Sequence, residues 1–129
     1  MYDVIEGQSE NIQNWYPGDN YVDWLELSWF LPPDEVAKPV KSQRQLANEV
    51  LTFAREKNKS VMIAEAAPQG YDLEILTQAN SGILWNVMDA DVIWQEWLSA
   101  FFEYISANDD LIKAVAYINM DWDLQPMWA

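Results

Sequence analysis

Glu65 is the residue of this chain best placed to do chemistry. It ends the run Ser60-Val61-Met62-Ile63-Ala64-Glu65, and Ala66-Ala67-Pro68 follows it. A run this apolar reads as a strand covered on both faces. A carboxylate at the end of such a strand is costly unless it has partners or a task. In barrels of parallel strands, that end is where reacting groups are placed.

The rest of the composition narrows what Glu65 can work with. The 129 residues include no histidine and no cysteine. The commonest general base and metal ligand, thiolate catalysis, disulfides and Cys-type zinc sites are therefore excluded. Catalysis must come from carboxylates, tyrosines, lysines or hydroxyls. No metal and no cofactor is expected: Asp121 and Asp123 stand two apart without the glycine turn of a calcium loop, and neither Gly18 nor Gly70 belongs to a phosphate-binding motif. Twenty-one acids against 7 bases give a formal net charge of −14, which argues against nucleic acid or an anionic membrane as partner. No apolar run approaches the roughly 18 residues of a membrane span, and the first residues lack the charged-then-apolar pattern of a leader. Eight tryptophans serve mainly core packing, but indole rings also stack on the C–H faces of sugars.

The length suits one domain, residues 1–129. Met1 to Ile5 reads as a strand remnant, and Tyr16-Pro17-Gly18-Asp19 as a turn. Tyr21 to Phe30 reads as a strand apolar on both faces, interrupted by Glu26. Ser42 caps a helix, with Gln45 where a capping box needs it. Leu46, Val50, Phe53 and Ala54 form its inner stripe, and Arg55, Lys57 and Lys59 sit at its carboxyl end. The Glu65 strand follows. Residues 67–90, with Gly70, Tyr71, Gly82 and Trp85, read as a long loop with room for a short helical turn, and such a loop after a strand's carboxyl end is more often functional than idle. A second helix is expected from Asp91, its cap, to Ala107, with a stripe of Trp94, Trp97, Leu98, Phe101 and Ile105. Lys113 to Met120 gives a third apolar strand, ending in Asp121-Trp122-Asp123. Strand, helix, strand, helix, strand implies an α/β fold with parallel strands.

Four segments carry a family resemblance: Trp15-Tyr16-Pro17-Gly18-Asp19, Tyr21-Val22-Asp23-Trp24, Val61-Met62-Ile63-Ala64-Glu65 and Ala116-Tyr117-Ile118-Asn119-Met120-Asp121-Trp122-Asp123. In this order they resemble the C-terminal part of a clan A glycoside hydrolase, closest to the family 26 mannanases and related β-glucanases. The resemblance implies a partial (β/α)8 barrel: a half-barrel of three to four parallel strands, from strand five or six to strand eight. It implies retaining β-glycosidase ancestry, with β-mannan or β-glucan as substrate. Glu65 matches the catalytic nucleophile, and Trp122 resembles the tryptophan that forms a sugar platform. Trp29 falls near a tyrosine that hydrogen-bonds the nucleophile in many clan members. Trp29, Trp85, Asp121 and Trp122 are the expected substrate contacts.

Retaining hydrolysis needs two carboxyls roughly 5–5.5 Å apart. In the family the second sits on the fourth strand, outside the region of resemblance, and neither Glu6 nor Glu10 is placed to replace it. The chain on its own is therefore expected to be inactive. A half-barrel also leaves apolar edges and an unfilled inner face, so a homo-oligomer is one way to complete it. The alternative to a hydrolase is a non-catalytic carbohydrate-binding or oligomeric α/β module using Trp29, Trp85 and Trp122. A truncated product without retained function is the third reading.

Overall fold

The computed structural model describes residues 12–32, 34, 36–37, 41–68, 71–72, 77–80, 84–87 and 89–119. A short helix α1 (Ile12–Trp15) precedes strand β1 (Trp24–Trp29). The two-residue strands β2 (Val36–Ala37) and β3 (Lys41–Ser42) pair antiparallel and lead into helix α2 (Gln43–Lys57). Strand β4 (Ser60–Ala66) is followed by β5 (Tyr71–Asp72), β6 (Thr77–Asn80) and β7 (Leu84–Val87). A long helical stretch comes next: α3 (Ala90–Ile93), a π-helical segment (Trp94–Ser99) and α4 (Ala100–Ala107), before strand β8 (Ile112–Tyr117).

The central sheet has the order β1-β4-β8, and both pairings are parallel. The expected α/β architecture with parallel strands is present, consistent with part of a (β/α)8 barrel. The strand expected over residues 1–5 lies outside the described residues. Among the described residues, no helix is long and apolar enough to cross a membrane.

Helix α2 forms where its local signals say it should. Ser42 accepts from the Gln45 amide while the Gln45 side chain accepts from the Ser42 amide, at 3.2 and 2.8 Å. This reciprocal pair satisfies two donors that the helix start would otherwise leave open. At the other end Asn58 takes the left-handed conformation (φ 53°) and its N–H reaches Ala54 and Arg55 carbonyls, a common helix stop. Leu46, Ala47, Val50, Leu51, Phe53 and Ala54 are buried. They pack with Leu25, Leu27 and Trp29 of β1, Val61 and Ile63 of β4, and Trp97, Phe101 and Tyr104 of the second helix.

Three expectations change. Residues 67–90 are not a plain loop: β5, β6 and β7 form an antiparallel meander in which Tyr71 faces Gln78 and Ala79 faces Trp85. The strands are short and carry polar residues, so no apolar run announces them. The cap of the second helix is Asp89, whose carboxylate accepts from the Asp91 amide at 2.9 Å; Asp91 is in its first turn. The π-helical segment has a longer turn than an α-helix and shifts the phase of the stripe. Ile93, Trp97, Phe101 and Tyr104 are buried, whereas Trp94 is 52% exposed.

β1 is also less covered on its second face than expected, except at Ser28, which is 3% exposed. Leu25, Leu27 and Trp29 are buried against the helices, while Trp24 and Glu26, which alternate with them, are exposed. That second face is the one a closed barrel would turn inward.

Candidate functional site

Glu65 lies near the carboxyl end of β4, the middle strand, and its placement depends on a bulge. In the pairing with β1, Leu27 faces Ile63 but Ser28 faces Glu65. Against β8, Ile63 faces Val115 and Ala66 faces Tyr117. Between Ile63 and Ala66, β4 therefore carries one more residue than either neighbour, at Ala64-Glu65; nearer the start of β4, β8 carries an extra residue of its own, Lys113. Side chains alternate along a strand, so a regular ladder would put Glu65 on the face of Val61 and Ile63, inside the helix-packed core. The extra residue reverses the phase. Ala66 becomes buried with Val61 and Ile63, and Glu65 turns to the face of Ser28 and Glu26. Bulges of this kind re-aim side chains next to active sites.

Beside Glu65 stands a hydroxyl. Ser28 Oγ donates to Glu65 Oε2 at 3.4 Å, and Ser28 is 3% exposed. Glu65 itself is half-buried. The contact is long for an O–H···O bond.

The end of β1 that carries Ser28 is held from the helix side. The buried Gln43 donates from Nε2 to the Ser28 carbonyl at 3.3 Å, and its Oε1 accepts from the Leu31 amide at 3.4 Å. Trp97 Nε1 donates to the Phe30 carbonyl at 3.0 Å. Beyond the bulge, the Ala67 amide donates to the Trp29 carbonyl at 3.2 Å and the Ile118 amide to the Ala66 carbonyl at 2.8 Å. These bonds tie the three strand ends into one rim. The meander is tied to the helix above it, where Tyr71 Oη donates to Glu96 Oε2 at 3.1 Å.

The structure sorts the other expected site residues. Trp29 is fully buried, with its ring 4.7 Å from that of Tyr104 and 5.6 Å from that of Phe101. Strand alternation puts it on the helix face, so it offers no surface to a sugar, and Ser28 takes the place beside Glu65. Trp85 lies on β7 opposite Ala79. Asp121 and Trp122 lie outside the described residues. Glu26 lies two register pairs before Ser28–Glu65, opposite Met62 and on the same face of β1 as Ser28. A shallow depression lined by Lys41 of β3 and Gln45, Asn48 and Glu49 of α2 does not include Glu65. Among the described residues, no group of three or more acidic side chains could hold a metal ion.

Chemically, the rim offers one half-buried carboxylate, a hydroxyl donor aimed at it, and an open face. That set suits nucleophilic attack on an electrophilic carbon with the carboxylate held in one orientation.

No family model matches the chain. It is 38% identical over 118 residues to a β-1,3-xylanase of a Vibrio species, covering 89% of this chain, and 36% identical over 121 residues to a β-1,3-xylanase of an Alcaligenes species, covering 92%. In both cases the chain spans about a quarter of the relative's length, 24%. The chain is thus homologous to a segment of β-1,3-xylanases, which are glycoside hydrolases.

Proposed function

We propose that this chain supplies the nucleophile-bearing part of a retaining β-glycoside hydrolase, with β-1,3-linked xylan as its polysaccharide. The observation that carries the reading is Glu65 itself, turned by the bulge onto the open face at the carboxyl end of the central parallel strand. The similarity to two β-1,3-xylanases favours xylan over the mannan or β-glucan expected from sequence.

In the proposed reaction a Glu65 carboxylate oxygen attacks the anomeric carbon. The bond from that carbon to the leaving oxygen breaks, and a second carboxyl protonates the leaving oxygen. Water then attacks the glycosyl-enzyme, gives its proton to that second group, and frees Glu65. The second carboxyl and further barrel strands come from a longer chain or from an associated copy. Trp85 and Trp122 are the proposed sugar contacts, with Asp121 beside the latter.

An inactivator with a good leaving group tests the nucleophile without the acid. A 2-deoxy-2-fluoro-β-xylosyl fluoride extended by a β-1,3-linked xylose should modify the chain once, at Glu65, as read by peptide mass spectrometry. Glu65→Gln should abolish the modification. Modification of another carboxylate, or equal modification of both proteins, would end the proposal. Saturable binding of β-1,3-xylo-oligosaccharide by an unmodified wild-type chain would instead favour a carbohydrate-binding module.

A further inference from the structure

Ser28 is buried, whereas Glu26, the other polar residue of β1, is exposed, and the sequence alone assigns Ser28 no purpose. Its hydroxyl is 3.4 Å from Glu65 Oε2, and its backbone carbonyl accepts from Gln43 Nε2 at 3.3 Å. The side chain is thus aimed at the carboxylate while the main chain is clamped from the opposite face. The bulge in β4 brings Glu65 into register with Ser28 rather than with Leu27 or Trp29. A hydroxyl hydrogen-bonded to one carboxylate oxygen fixes the rotation of the whole group and leaves the other oxygen free.

We infer that Ser28 is a positioning residue that holds Glu65 Oε2 and leaves Oε1 as the attacking atom. This rests on the nucleophile reading given above. Ser28 acts through Glu65 and not on the sugar, so it governs the rate of attack more than affinity. Orientation of this kind is a large part of what an enclosed nucleophile gains over one in water. Threonine keeps the donor, cysteine keeps the shape with a weaker donor, and alanine removes it.

The test compares Ser28→Ala, Ser28→Thr and Ser28→Cys with wild type in two independent measurements. The first is inactivation by the fluoroxylosyl reagent, separated into a binding constant and a maximal rate. Ser28→Ala should lower the maximal rate about tenfold and leave the binding constant within about twofold. Ser28→Thr should recover most of the loss, and Ser28→Cys should fall between. The second is the order parameter of the Glu65 side chain from carbon-13 relaxation, which needs no reaction. It should fall in Ser28→Ala and recover in Ser28→Thr or Ser28→Cys. An unchanged order parameter in Ser28→Ala would overturn the inference, as would a loss confined to the binding constant. If wild type is not modified but the order parameter responds as expected, the nucleophile reading fails and the positioning by Ser28 stands.

Discussion

Deleting Ala64 should leave the protein folded, although Ala64 lies in the middle strand of the sheet. A bulged residue makes no ladder pair of its own, and none of the register pairs of β4 includes Ala64. Without it, Ile63, Glu65 and Ala66 fall into plain alternation. Ile63 stays on the helix face, Glu65 stays opposite Ser28, and Ala66 stays opposite Tyr117. The loss is then a half-buried methyl and a local twist, about 1 kcal/mol. Deleting Leu27 gives the opposite result. β1 has no surplus residue there, so every later side chain changes face. The fully buried Leu27 is lost, about 2–5 kcal/mol, and the fully buried Trp29 swings outward, about 3–5 kcal/mol more. Together these approach the roughly 5–15 kcal/mol that holds a whole domain. Urea unfolding followed by tryptophan fluorescence and circular dichroism distinguishes the two. Loss of the cooperative transition in the Ala64 deletion, or its retention in the Leu27 deletion, would refute the bulge and the placement of Glu65 that depends on it.

Two further perturbations probe the core. Trp29 Nε1 is buried without a hydrogen-bond partner, a cost of about 1–3 kcal/mol. Trp29→Phe removes that cost and opens a cavity costing about 1 kcal/mol. Chemical denaturation should show a net change within about 1 kcal/mol, and sugar titration should show none. Tyr104 is 3% exposed, donates from Oη to Asn48 Oδ1 at 2.9 Å, and has its pKa raised by burial above the ordinary 10.0, against smaller lowering by Arg44 and Arg55. Because the folded value is the higher one, its contribution is complete below about pH 10 and is lost as pH rises from there toward the folded value. Denaturation midpoints should fall above pH 10, and less steeply in Tyr104→Phe.

The parallel core was legible because its signals are local and redundant. Ser42 and Gln45 announce the start of α2, and the runs around Leu27, Ile63 and Val115 are apolar enough to read as strands. Glu65 was conspicuous as a charge ending such a run. The device that turns it was not, because Ala64 is acceptable on either face and a bulge appears only once three strands are aligned. Ser28 was missed for the same reason: a serine in a strand has no meaning until register gives it a neighbour. Trp29 falls near the tyrosine position of the resembling family, and which face of β1 the helices cover is decided only by the packing, which buries it completely. The meander over residues 71–87 offers no long alternating run, and the π-helical turn that exposes Trp94 leaves no mark in a pattern scanned at 3.6 residues per turn.

The outer edges of β1 and β8 carry a consequence of direction. Among the described residues the parallel sheet runs β1-β4-β8, with β1 and β8 at its borders. A strand laid beside either border continues a barrel only if it runs the same way as its neighbour. A tight hairpin reverses the chain and cannot supply such a strand, so it has to arrive by a crossover of about a dozen or more residues or from a separate chain.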